Sequence, residues 1–419
     1  VRYTLGQYLD EWLDGHRGLR RSTRKSYGEH IEYYLKPHLG HIELDRLRVA
    51  HVNEMFAAID ADNERITCAA EERRRLLAAA RQAWRSGDKT AHKAARAELA
   101  GLSPHRRTVG AATMQRIRAT LRSALADAVR QGLATENVAK LAKLETGKRP
   151  KALVWTTERV TAWQNAYERE LVAERERAGG CTGSAFKVWA SLQRPSRVMV
   201  WTPEQIGIFL DHATDHPLYP LFHLMAFRGL RRGEACGLAW PDLDLDAATL
   251  TVRENRVKIT YGEIEDGDPK SEGGDDTIAL DSATVAVLRT HRRCQEEVRA
   301  EWGRAWQDSG KVFTRRDGSA LHPDHVTDAF ARLAHDAGLP PVRLHDLRHG
   351  AATLMLAGGA DMKLVQALLR HSSLAITADT YTSVLPEAAE AAAALVPRKI
   401  PAANARSSVL PTSSPNEEE

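Results

Sequence analysis

The chain has 419 residues, 43% of them hydrophobic and 27% charged, with a formal net charge of +4. That length suits two to three domains, and that balance is ordinary for a globular protein. No apolar run approaches the ~18 residues of a membrane span, no signal-peptide pattern opens the chain, and Cys68, Cys181, Cys236 and Cys294 lack CxxC spacing, which argues against a membrane protein, a disulfide framework and a structural zinc site and for a reducing cytoplasm.

In chain order, Thr4-Leu-Gly-Gln7 is a capping-box-like start to a helix bearing Tyr8, Leu9, Trp12 and Leu13 on one face. Arg20-Arg-Ser-Thr-Arg-Lys-Ser-Tyr27 opens a second helix, which runs to Tyr34 and is expected to end before Lys36-Pro-His-Leu-Gly40. From about Asp60 to Arg107 the chain is rich in Ala, Arg and Glu with a break at Ser86-Gly-Asp-Lys89, which reads as an inserted helical hairpin. A long helix follows over about Ala112 to Gln131, ended by Gly132. Residues 1–155 hold 29 Lys+Arg against 18 Asp+Glu, a net +11, and the remainder 30 against 37, a net −7. Such a basic region either tracks a nucleic-acid backbone or solvates alanine-rich helices.

Residues 148–198 read as an extended linker or insertion. Within it Val-Trp-Thr-Thr-Glu-Arg-Val (154–160) is echoed by Val-Trp-Thr-Pro-Glu-Gln-Ile (200–206), either as a duplicated entry segment or by chance. Ala-Thr-Leu-Thr-Val-Arg-Glu-Asn-Arg-Val (248–257) alternates as a strand, Thr-Ile-Ala-Leu (277–280) reads as its partner, and Asp268 to Asp276 between them carries Lys270. Pro386 to Val396 has strong helix propensity but is too short to stand alone, so it needs a surface, on its own domain or on a neighbouring copy. Residues 397–419 turn to Pro, Ser, Asn and terminal Glu and are expected to be disordered.

The chemistry converges on Tyr381. Thirty-six residues before it stands His345-Asp-Leu-Arg348, ten before it His371, and 150 before it Arg231 in Gly-Leu-Arg-Arg-Gly-Glu. A phosphoryl group under attack spreads negative charge over its non-bridging oxygens, and guanidinium forks match that charge and geometry. His345 and Arg348, three apart, share a face if a helix begins there. A phenol with a reference pKa of about 10 needs neighbouring cations or a base to attack at neutral pH. Taken singly, Tyr381 reads as a helix-packing residue, His345 as a surface or capping histidine, and Arg231 as half of a helical ion pair with Glu234. Their joint order is what packing alone does not produce, and His349 is read as a local packing residue outside the set.

Phe227 to Trp240, Leu344 to Thr353, and Leu368 to Ser373 through Thr377 to Thr382 resemble, in order and spacing, the catalytic domain of the tyrosine recombinases, specifically phage-type integrases of actinobacterial elements. The resemblance implies that Arg231 and Arg348 bind the scissile phosphate, that Tyr381 attacks it, that His345 and His371 assist, and that Glu234 holds Arg231. Lys270 matches the family's hairpin lysine, the proton donor to the leaving 5′ oxygen. Asp276 departs from the pattern, because relatives usually carry a basic residue there. The Leu-Arg-x-Ser-Thr, Tyr, Pro-x-Leu-Gly succession is similar to the family's core-binding domain, which nominates Arg20, Arg21, Thr23 and Lys25 for DNA.

The implied fold is mainly α with a small antiparallel sheet. It divides into a helical, SAM-like core-binding domain over 1–147 with an insertion at about 60–107, the 148–198 linker, and a mixed α+β catalytic domain over 199–396. The implied activity is site-specific integration, and excision, of a mobile element through a 3′-phosphotyrosine, on double-stranded DNA attachment sites, as a homotetramer, with no cofactor and no metal. A host bending protein and a directionality factor are possible partners, and the nucleoid is the expected location. The alternatives are a type IB topoisomerase-like enzyme and a catalytically inactive DNA-binding regulator. Many such integrases carry a further arm-binding domain upstream, and the chain opens at Val1 almost directly on the core-binding region.

Overall fold

The computed structural model describes residues 3–104, 106–145, 147, 151–177, 185–260, 262–267 and 277–370. The chain is mostly helical with small sheets, and it divides into two compact units, Val1–Arg149 and Pro150–Glu419.

In the first unit, α1 (Leu5–Gly15) starts at the capping box expected of it: the Gln7 N–H donates to Thr4 Oγ1 at 3.3 Å and the Thr4 N–H to Gln7 Oε1 at 3.1 Å. Its apolar face buries Leu5, Tyr8, Leu9 and Trp12. The two polar tips on that face are satisfied by α6 (Ala111–Arg130): the Tyr8 hydroxyl donates to the Ala124 carbonyl at 2.7 Å and the Trp12 indole N–H to Asp127 Oδ2 at 2.7 Å. Burial pushes the Tyr8 phenol up to about 12. Helix α2 (Arg21–His30) does not stop before Pro37. It passes through a π turn at Ile31–Leu35 into α3 (Lys36–Leu39). Proline lacks a donor and crowds the carbonyl four residues back, and a locally wider turn relieves both defects.

Helix α4 (Val49–Arg85) contributes Val52, Met55, Phe56 and Ile59 to this core, then runs on as one arm of a hairpin with α5 (Lys89–Gly101). The hairpin read from composition is therefore continuous with a core helix. It reverses at Gly87, whose φ of +75° is the left-handed region glycine tolerates, and Asp88 caps α5 by accepting from the Ala91 N–H at 2.9 Å.

In the second unit, the described residues of the stretch expected as an extended linker or insertion, 151–177 and 185–198, carry regular elements. They contain β1 (Ala152–Val154), α7 (Thr157–Arg177) and α8 (Ala185–Ser191) and lead into β2 (Val198–Val200) and α9 (Pro203–His212). The two echoed segments lie side by side, with β1 and β2 paired in parallel and Val154 opposite Val200. Tryptophan explains why this stretch folds in. Trp189, Trp201 and Trp155 are buried, and their indole N–H groups donate to three successive carbonyls, Leu339 at 2.8 Å, Pro340 at 2.9 Å and Pro341 at 3.3 Å. Each indole adds a large apolar area to the core while its one polar atom finds a partner.

The rest of the unit comprises α10 (Tyr219–Arg228), α11 (Arg232–Gly237), α12 (Ser282–Trp302), α13 (Pro323–Asp336), α14 (Asp346–Ala357) and α15 (Met362–Leu369). Strands β3 (Leu243–Asp244), β4 (Thr249–Thr251) and β7 (Thr277–Ala279) form an antiparallel sheet with β4 in the centre and Leu250 opposite Ile278. The strand expected over 248–257 is split. Its second half is β5 (Asn255–Lys258), paired with β6 (Ile264–Gly267) in a separate hairpin. The cause is α11, whose Gly233 and Gly237 press on this turn. A Cβ on Gly233 would meet Asn255 Oδ1 at 2.0 Å, and one on Gly237 the Glu254 carbonyl oxygen at 3.0 Å.

Replacing Trp189 by Phe keeps most of the buried ring but leaves the Leu339 carbonyl without its donor. The expected cost is about 1–2 kcal/mol. Denaturant unfolding monitored on the full chain measures it, and an unchanged midpoint would show that the indole hydrogen bond is not a brace.

Candidate active site

Helix α10 ends at Gly229, whose φ of +63° turns the chain sharply toward Arg231. A side chain at Gly229 would come within 2.4 Å of Leu369, so glycine is what lets the end of α15 pack against this turn. Arg231 then caps α11. Its N–H donates to Glu234 Oε2 at 2.8 Å and its Nη1 to Oε1 at 2.7 Å. Glu234 is 2% exposed, and a second guanidinium, that of Arg370, also donates to its Oε2.

Helix α14 brings the next pair. Asp346 is buried and accepts from Arg343, including Nη2 at 2.7 Å, which fixes the start of the helix. Two residues later Arg348, 2% exposed, donates to the carbonyls of Gly229 and Leu369. The Arg370 carbonyl in turn accepts from Arg231 Nη2 at 3.3 Å. Both arginines therefore grip the last turn of α15, which starts at Asp361, whose side chain accepts the Leu364 N–H at 2.8 Å.

The electrostatics follow from that packing. Burial alone would raise the Glu234 pKa, but Arg370 and Arg231 outweigh it and hold the carboxyl below the ordinary range. His345 stands at the rim, exposed on one side, with its ring 5.7 Å from that of His349 at 82°. Loss of hydration pulls the His345 pKa down; Asp346 opposes this, and Arg348, Arg343 and Arg231 reinforce it. These effects together favour the neutral imidazole. Desolvation lowers His349 further, to about 4, in keeping with a packed residue.

Of the residues nominated from sequence, Arg231, Glu234, His345 and Arg348 meet at this junction. Lys270, Asp276, His371, Tyr381 and the helix expected over Pro386–Val396 lie outside the described residues. Arg20, Arg21, Thr23 and Lys25 lie in the first unit, at and just inside the start of α2, with Arg20, Arg21 and Lys25 exposed and Thr23 half-buried. Sequence reasoning missed Arg370 and the Arg343–Asp346 pair. The pair had a signal, a cation three residues before an acid at a helix start; Arg370 had none beyond its place in Leu-Leu-Arg-His. Among the described residues no cluster of His, Cys, Asp and Glu could hold a metal ion, and no helix is long and apolar enough to cross a membrane. Burial pushes the Cys236 thiol up to about 12, which removes it as a nucleophile.

Glu234→Gln should destabilise the chain by about 3 kcal/mol at pH 7, because it leaves buried guanidinium charge without its counter-ion. The folded-state pKa of Glu234 is depressed, so its contribution is full above the ordinary value of 4.5 and lost as pH falls through the lower folded value. The stability gap between wild type and variant, measured by urea unfolding, should therefore be constant from pH 7 to about 5 and narrow only below about 4.5. A gap that already closes between pH 7 and 5 would contradict this.

Comparison with known proteins places these features. Residues 200–388 match the phage integrase family and residues 4–57 the phage integrase N-terminal SAM-like domain. A tyrosine recombinase XerC-like protein of Caldanaerobacter subterraneus is 28% identical over 221 residues, 49% of this chain and 56% of that protein. The ICEBs1 integrase of Bacillus subtilis is 26% identical over 192 residues, 45% of this chain and 52% of that protein. The chain thus spans about half the length of these curated relatives. Other relatives come from Xanthomonas campestris, Saccharopolyspora erythraea and Streptomyces ambofaciens, so the likeness is to the family at large and does not single out actinobacterial elements. The fold is shared with the Tn1549 transposon integrase in complex with transposon right end DNA, at a TM-score of 0.55 and 15% identity over 93% of this chain and 99% of that one. It is shared too with a lambda integrase dimer bound to a COC' core site, at a TM-score of 0.50 and 15% identity over 90% and 94%. With both halves of the family's architecture matched, the chain belongs to the tyrosine recombinase, or phage integrase, family.

Proposed function

We propose that the chain is a site-specific DNA recombinase that cuts and rejoins DNA through a 3′-phosphotyrosine, integrating and excising a mobile element. The observation that carries this reading is the excess of guanidinium at the junction of α10, α14 and α15. Arg231 and Arg370 pair with one carboxylate, Glu234, and Arg348 joins them at the carbonyls of Gly229 and Leu369, within the family-matched region. Such a site is built to receive an anion, and a phosphodiester is the anion that suits it.

In this reading Arg231 and Arg348 hold the non-bridging oxygens, with Glu234 fixing Arg231. The Tyr381 oxygen attacks phosphorus, a P–O bond to tyrosine forms, and the bond to the 5′ oxygen breaks, with Lys270 giving that oxygen its proton. Neutral His345 takes the phenol proton, and His371 supports the phosphate. Attack by the 5′ hydroxyl of another strand reverses the step, so the phosphodiester energy is conserved without a nucleotide. The first unit, with Arg20, Arg21, Thr23 and Lys25, supplies sequence-independent grip on the backbone of double-stranded attachment sites. The assembly would be a homotetramer, helped by a host bending protein and a directionality factor. The likeness to relatives that are themselves an integrase or a tyrosine recombinase supports the same reading.

A nicked suicide substrate tests it. Wild-type protein should form a denaturation-resistant, site-dependent adduct. Tyr381→Phe should form none while binding within a few-fold, and Arg231→Ala should slow the step by ~10²–10³. A promiscuous adduct would favour a type IB topoisomerase-like enzyme, and no adduct an inactive regulator. Lys270→Ala should be slow on ordinary DNA yet rescued by a bridging 5′-phosphorothiolate, whose leaving group needs no proton. Without rescue, another residue is the acid.

The pH dependence follows from the lowered His345 pKa. If His345 accepts the phenol proton, adduct formation should persist down to the ordinary histidine value of 6.5 and fall only below it. An acid limb at or above 6.5 that is unchanged in His345→Gln would remove His345 from the proton transfer.

A further inference from the structure

Arg370 is the cation that the reading above leaves unused. Its side chain is only 6% exposed, and one nitrogen, Nη2, pairs with Glu234 Oε2. Its other two, Nε and Nη1, are buried with no hydrogen-bond partner among the described residues. A buried ionised donor without an acceptor is costly, and native structures rarely keep one unless something else completes it. Moreover the residue adopts a φ of +53°, a conformation that side-chain-bearing residues disfavour. A glycine would serve that turn without strain, so the turn does not account for the arginine.

Among the described residues no second counter-ion for Arg370 is present. Glu234 Oε1 is taken by Arg231 Nη1, and Oε2 is shared between the Arg231 N–H and Arg370. Asp346 is committed to Arg343. Arg348 donates to the carbonyl of Leu369, immediately before Arg370, and Arg231 to that of Arg370 itself. Two unmet donors on a third guanidinium thus lie on the turn that both proposed phosphate arginines hold.

We infer that Arg370 serves the same oxyanion as Arg231 and Arg348, holding Glu234 with one end of its guanidinium and keeping Nε and Nη1 as donors for the anion. The inference rests on the proposed function for the identity of that anion as a DNA phosphate. The arrangement gives Glu234 two tasks, orienting Arg231 for the reaction and stopping Arg370 from swinging into solvent. It also gives the site a fork whose hydrogen bonds form only when the anion arrives, which is how a preorganised donor favours a transition state.

Two readouts on the full chain test this. The first is the thermal shift produced by inorganic phosphate in wild type, Arg370→Lys and Arg370→Gly. The second is single-turnover adduct formation on a suicide substrate. Wild type should be stabilised by phosphate, Arg370→Gly should lose most of that shift, and Arg370→Lys should keep part of it, since it retains charge without the fork. Adduct formation should slow ~10–100-fold in Arg370→Gly, with DNA affinity within a few-fold. A phosphate shift and a cleavage rate both equal to wild type in Arg370→Gly would overturn the inference. So would a slowed rate with an intact shift, which would limit Arg370 to positioning Glu234. Should Arg370→Gly not fold, Arg370→Gln and Arg370→Lys carry the same comparison. Absence of any adduct in wild type would sink the recombinase reading alone, because the phosphate shift still decides whether Arg370 binds an anion.

Discussion

One buried carboxylate cannot neutralise the cations packed around it, and the geometry of the second unit follows from that imbalance. Glu234 is reached by Arg231 from its own helix and by Arg370 from the end of α15, while Arg348 enters from α14 and spends its donors on backbone carbonyls. Taking a charge out of water costs several kcal/mol even after relaxation, so each guanidinium needs compensation at close range. The protein supplies it from neutral dipoles: the carbonyls of Gly229, Leu369 and Arg370 all point into the cluster. These acceptors hold the arginines in place without cancelling their charge. The result is a rigid site with positive charge to spare.

Rigidity there depends on a second device some distance along the chain. The segment Leu339-Pro-Pro341 leads directly into Arg343, His345 and Asp346, and two of its three residues have no N–H with which to join a helix or sheet. Left to itself such a segment is an extended connector. Instead Trp189, Trp201 and Trp155 each donate to one of its carbonyls, which pins it to the core through groups that proline still offers. The echoed Val-Trp-Thr segments acquire a meaning here. Their parallel pairing brings Trp155 and Trp201 in just past the matched pair Val154 and Val200, and the two indoles donate to successive carbonyls.

Much of this was legible in the sequence, and what was not has identifiable causes. The Thr4 capping box, the long helix ending at Gly132, and the convergence of Arg231, Glu234, His345 and Arg348 follow from local patterns or from motif order. The tryptophan-rich stretch over 148–198 was read only as a linker or insertion, without elements of its own, because the partners of Trp189 and Trp155 lie 150 and 186 residues away, beyond any periodicity. The strand over 248–257 was read as continuous because alternation does not register that α11 bends it at Glu254–Asn255. Pro37 was read as a stop because a π turn, which absorbs it, has no reliable sequence signature. Arg370 was invisible for the opposite reason: propensity argues against arginine in a left-handed turn, so nothing local marks the position as purposeful.

The same charge imbalance bears on how binding and chemistry divide in the proposed reaction. Ten residues lie between Arg370 and Tyr381, the residue proposed as the nucleophile. The arginines are fixed by carbonyls and by Glu234 within the folded unit, none of which requires the tyrosine. In the proposed reaction the anion is therefore gripped by groups of the folded unit alone, so that binding the phosphate and attacking it draw on different residues.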